Sequence, residues 1–133
     1  METNNKSQKR NKIIYWIFTI WMALGMFSTA IVQLMKNKDE LANFTNLGYP
    51  AYLMIMIGVW KILGVIAVLI PKRPLLKEWA YAGFFFVMSG ALISHIIIGD
   101  TLGRTLPALL LLVLVLISWY FRPADRKIPV INH

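Results

Sequence analysis

The chain contains no cysteine. That removes a thiol–disulfide relay, a structural zinc knuckle and a Cys-held iron–sulfur cluster from consideration. Histidine is scarce as well, with two in 133 residues. His95 is the only one within an apolar run, so a bis-histidine haem is excluded and Met88 reads as packing, not as an axial ligand. Acidic residues number six, and no cluster of His, Asp and Glu has metal-ligand spacing. Long polar stretches are also missing. The first twelve residues and the 35–49 loop are the longest, and neither could fold as a catalytic head.

What the sequence has instead is apolar length. It is 58% hydrophobic. Four runs, 13–35, 51–70, 79–98 and 106–121, take up most of it. A bilayer core about 30 Å thick needs roughly 20 apolar helical residues. The first three runs meet that length, and the fourth is short, with Trp119 and Tyr120 placed for an interface and mild thinning covering the rest. The predicted fold is an all-α integral membrane four-helix bundle. Residues 1–12 and 123–133 read as basic tails flanking a 13–122 transmembrane domain. Ser28-Thr29-Ala30 resembles a signal-peptidase site, but the apolar run continues past it, so the first span is expected to stay.

The net charge of +8 points to lipid headgroups and not to nucleic acid, because the cations sort by loop. Lys6, Lys9, Arg10 and Lys12, then Lys72, Arg73 and Lys77, then Arg122, Arg126 and Lys127 fall on one side. Lys36, Lys38 and Arg104 fall on the other. The excess predicts that both termini are cytoplasmic (N-in, C-in), with the basic side resting on anionic headgroups.

The sequence offers few residues for chemistry. Lys61 lies ten residues into its span, about 15 Å deep at the helical rise. A lysine there costs about 3 kcal/mol on insertion scales and faces a bundle interior or cavity as a rule. Two readings stand: a functional charge, or a snorkelling side chain that fixes packing. His95 lies near the other end of span three and has its own bland reading as an interfacial histidine. Gln33 and Asp100 lie at similar or shallower depth. The expectation is a cavity in the outer half, bounded by Lys61, His95 and Gln33, with Asp100 at the rim and Trp60 or an aromatic of span three on its wall. Ser94 and His95 are neighbours on a helix and point apart, so they are no nucleophile–base pair. Gly25, Gly58, Gly64 and Gly83 are expected to mark helix contacts, and Gly90-x-x-x-Ser94 a small-residue seam. The fourth span, nearly all Leu and Val, is expected to be the most lipid-facing. Residues 39–44 suit a short interfacial helix.

Three segments carry a resemblance. Gly58-Val59-Trp60-Lys61-Ile62-Leu63-Gly64, then Leu76-Lys77-Glu78-Trp79-Ala80-Tyr81-Ala82-Gly83-Phe84-Phe85-Phe86, then Ser89-Gly90-Ala91-Leu92-Ile93-Ser94-His95 resemble the DoxX-like family of small four-helix membrane proteins. Asn46-Leu47-Gly48-Tyr49-Pro50 fits it too. The resemblance implies a bacterial plasma-membrane protein linked to membrane redox complexes. The residues supply no intrinsic cofactor site, and the resemblance makes a quinone the candidate ligand and redox-complex subunits the candidate partners, with a second copy of the chain as a further candidate. The family pattern often places an acid after the Phe triplet. Val87 stands there, so the resemblance supplies no carboxylate for Lys61. Together these readings predict binding of a hydrophobic or amphipathic small molecule, quinone- or lipid-like, or a place as membrane subunit of a redox complex, without independent catalytic activity. A small proton- or ion-coupled transporter and a purely structural subunit are the alternatives.

Overall fold

The structure, a computed structural model, describes residues 2–129, with side chains from residue 5. The outermost parts of the two basic tails, residue 1 and residues 130–133, lie outside the described residues.

Five helices follow in order: α1 (Glu2–Leu34), α2 (Lys38–Asn46), α3 (Ala51–Leu69), α4 (Pro74–Ile97) and α5 (Leu102–Tyr120), then a 3-10 turn at Ala124–Arg126. Four of them are long and apolar enough to cross a membrane. No water inside a bilayer can satisfy a backbone amide, so helices that close their own hydrogen bonds are the form such segments take. The protein is a multi-pass, all-helical membrane bundle. Helix α1 has 33 residues, about 50 Å at 1.5 Å per residue, so it overshoots a bilayer core of about 30 Å. Its surplus is the basic segment with Lys6, Lys9, Arg10 and Lys12. Helix α5 begins at Leu102, four residues before the apolar run, and encloses Pro107. Its 19 residues span about 28 Å and fill a bilayer core without thinning.

The four spans pack as a ring. Helix α1 touches α3 and α5, and α4 touches the same two. Helix α2 folds back over one end. Asn37 caps it, accepting hydrogen bonds from the Asp39 and Glu40 amides at 3.0 and 3.3 Å, and the two acids of its first turn complement the helix dipole. Phe44 is its buried anchor. Gly48, at φ +84°, makes the turn into Pro50 and α3, and the Tyr49 hydroxyl bonds Ser94 on α4.

The dry core occupies the half of the bundle that carries the two termini. Met22, Met26, Val68, Leu114 and Val115 are essentially inaccessible there. Two glycines set its width. A Cβ on Gly25 would stand 2.7 Å from Leu111, and one on Gly64 would stand 2.6 Å from the Phe84 ring. Gly58 lies against Leu34 and the Ala30 carbonyl, whereas Cβ atoms at Gly83 and Gly90 would meet nothing within 4 Å. The expected contact at Gly83 and seam at Gly90 are therefore corrected: Gly83 faces a groove and Gly90 a cavity. Helix α5 is not the most lipid-facing span either. It buries Leu111, Leu114, Val115 and Ser118, and α4 buries less of its apolar window, 22% against 28%.

A cluster of hydroxyl side chains lies inside the bundle. Tyr15 and Thr19 of α1, Tyr81 of α4 and Ser118 of α5 are buried. Ser118 Oγ is shared by Thr19 and by the Tyr81 hydroxyl, the latter at 2.7 Å. Lys77 was counted with the headgroup cations, yet its side chain is inaccessible. Its Nζ donates to the Ala67 carbonyl at 2.9 Å, the Val68 carbonyl at 3.3 Å and the Ile70 carbonyl. Arg126 joins it, donating to Val68 at 2.9 Å and Leu69 at 3.4 Å, with its guanidinium 4.6 Å from the Trp16 ring centroid. Together these two cations satisfy carbonyls that the end of α3 leaves without helical donors. They do this work in place of resting on lipid phosphate.

Candidate functional site

Between the dry core and α2 lies a cavity of about 510 Å³. All four spans and α2 contribute to it. Its wall is largely apolar, with Leu53, Ile57, Phe86, Ala91 and Leu111 among the lining residues. A few polar groups converge on it, the usual form of a small-molecule pocket.

Lys61 stands on its floor and is 4% exposed. Its Nζ donates to Thr29 Oγ1 at 3.1 Å. Thr29 in turn donates to the Gly25 and Met26 carbonyls at 3.0 and 3.1 Å, so its oxygen turns a lone pair toward the lysine. One ammonium proton is satisfied this way, leaving two for the cavity. The nearest counter-charge is Glu40, which acts on Lys61 through space. Reading the sequence for acids at span depth misses Glu40, because it sits on α2. The signal that could have found it is the Asn37 cap, which turns α2 back toward α1.

Gln33 is also 4% exposed. Its Nε2 donates to Glu40 Oε1 at 3.3 Å. A carboxylate accepts only, which fixes the amide orientation and turns Gln33 Oε1 the other way. That oxygen is buried and has no partner, and Asn43 Oδ1, also in the lining, is in the same condition. Buried polar atoms are nearly always hydrogen-bonded. Two orphan acceptors in one pocket wall are therefore an observation about what the pocket takes.

His95 lines the cavity too. Asp100 does not line it. It stands behind the histidine, its Oδ2 2.8 Å from His95 Nδ1. Asp100 Oδ1 accepts from the Thr101 amide at 2.8 Å, and Arg104 stands 3.9 Å away. The His95 hydrogen bond, followed by the Thr101 amide, holds the Asp100 carboxyl below its usual range. An ionised Asp100 makes Nδ1 the donor, which leaves Nε2 as the second nitrogen for a ligand. No hydrogen bond engages Nε2 among the described residues.

Trp60 is not on this wall. It is 52% exposed and borders grooves on the outside of α3. Sequence neighbours on a helix point about 100° apart, so a buried Lys61 turns Trp60 outward. Phe86 of α4 supplies the aromatic instead. The site thus brings together Lys61, Gln33 and His95, holds Asp100 one layer back, excludes Trp60, and adds Thr29, Glu40 and Asn43. Among the described residues no group of three His, Asp or Glu side chains could hold a metal.

No curated protein and no solved structure matches the chain. A family model does, over residues 17–118, which take in all of α2, α3 and α4 and every residue of the cavity wall. The chain belongs to the DoxX-like family.

Proposed function

We propose that the protein binds a hydrophobic or amphipathic small molecule, quinone- or lipid-like, in the cavity beneath α2. One observation carries the reading. Lys61 and Gln33, whose Oε1 has no partner, are both buried and both belong to the lining of a single space large enough for a small molecule. Burying a polar atom without a partner costs about 1–3 kcal/mol, and a bound molecule that hydrogen-bonds to it recovers that cost. A bundle built only to be rigid would close over Lys61, as it does over Lys77. Instead it leaves room, and α2 lies over that room.

The test is what the purified protein carries. Mass spectrometry of an organic extract is expected to find an amphiphile at near-stoichiometric amount. Gly90→Leu, which fills open space, should lower that amount at least tenfold while the bundle still melts as the wild type does. Lys61→Met keeps the stem and removes the charge. It should melt at the same temperature or higher, because a buried charge is often worse than an apolar replacement, and it should lose the amphiphile. Extracts that do not differ between wild type and both variants would leave the structural-subunit reading in possession.

A further inference from the structure

The cavity adjoins a groove. On the outside of the bundle, α3 and α4 diverge to leave a trough of about 340 Å³. Ile57, Lys61 and Val87 line both the trough and the cavity. From there the trough runs along α3 to Ala67, about 15 Å at the helical rise, toward the end that carries the termini. Trp60, Leu63 and Trp79 border it and are each about half exposed or more, so it is open to lipid. Gly83 forms part of its floor, where a Cβ would meet nothing within 4 Å.

The geometry points to a ligand in two parts: an uncharged, hydroxyl-bearing head in the cavity and a single alkyl chain that leaves between α3 and α4 into the bilayer. The inference rests on the binding reading above and specifies its ligand. The charge of the head follows from the lining. Lys61 and Arg104 are matched there by Asp39 and Glu40, so an anionic head would meet no net positive charge to offset its own desolvation. In a low-dielectric site that is unfavourable. The hydroxyl follows from the orphans. Gln33 Oε1 and Asn43 Oδ1 accept and cannot donate, so a head that partners them brings a donor, and an O–H is a donor without charge. The hydroxyl oxygen can in turn accept a hydrogen bond from Lys61. The chain follows from adjacency. A head at Lys61 has an apolar channel beside it, and the channel runs from mid-span toward one end of the bundle, as an acyl chain does below its headgroup.

Photolabelling in nanodiscs tests this. Three probes share one alkyl chain bearing a diazirine and differ only in the head: a monoacylglycerol, a free carboxylate and a phosphate monoester. The monoacylglycerol is expected to label residues 60–67 and 79–87 saturably, at least tenfold above either anion. Gln33→Leu should erase that preference. Gly83→Phe should abolish groove labelling with melting unchanged, and Gly83→Ala should behave as wild type. Equal labelling by all three heads, or a preference for an anion, would overturn the uncharged head. Saturable labelling confined to cavity residues such as Ala91 and Leu111, unchanged by Gly83→Phe, would overturn the lateral chain and leave the cavity reading standing. No saturable labelling by any probe would defeat both.

Discussion

At the residue scale, the informative side chains are those whose polar atoms are buried with a definite partner or with none. Lys61 was legible in the sequence, because a lysine in the middle of an apolar run has few places to go. Glu40 was not. It lies in a short polar segment that reads as headgroup-level, and only the fold of α2 brings it against Gln33. Trp60 was misplaced because proximity in sequence is not proximity on a helix surface. Asp100 gives a test with a definite sign. Its folded pKa is depressed, chiefly by the His95 hydrogen bond. The stabilisation it brings is therefore fully present above the ordinary carboxyl value of about 3.9 and is lost as pH falls through the lower folded value. Asp100→Asn should melt below wild type at pH 7, and the gap should close as the pH is taken well below 4. A gap that is constant across that range would remove the ion from the account.

At the element scale, the span positions follow from apolar length, and the structure changes mainly their ends. Helix α1 continues through the basic segment because nothing in residues 2–12 breaks a helix. Helix α5 starts early, at Leu102, and so encloses Pro107, whose nitrogen cannot donate to the Gly103 carbonyl one turn back. Packing between elements was less legible. Glycines in the sequence look alike, but Gly25 and Gly64 are contacts while Gly83 and Gly90 face open space. Which is which depends on helix rotation, and no period in an all-apolar span records rotation. Gly64→Val should drive the Phe84 ring out of its seat and cost about 1–3 kcal/mol, as overpacking does. Thermal unfolding in detergent would register it. The same substitution at Gly83 should cost little, and equal losses at both sites would contradict the packing described.

At the scale of the whole molecule, the bundle is polarised. The end with α2 holds the cavity, and the end with the termini holds the dry core and the hydroxyl cluster. Four crossings place both termini on one side, and the cation bias leads us to expect that side in the cytoplasm. A cytoplasm-active reporter fused after His133 should therefore be active, and one inserted near Asn46 should be silent. The reverse pattern would invert the molecule in the membrane. Class and the number of spans could be read from apolar length alone. The cavity could not, because it exists through the ring packing of α1, α3, α4 and α5, which leaves the α2 end unfilled.

The cap on α3 bears on the order of assembly. Val68 accepts from Lys77, nine residues on, and from Arg126, 58 residues on. During synthesis the first donor emerges almost at once, and the second only after α4 and α5 have been made. Helix α3 thus enters the membrane with one cation at its end and receives the other late, when the chain folds back beneath it. A nascent chain stopped before Arg126 has every span and still lacks its final fastening. Such an interrupted product is expected to hold that end of α3 less firmly than the finished protein does.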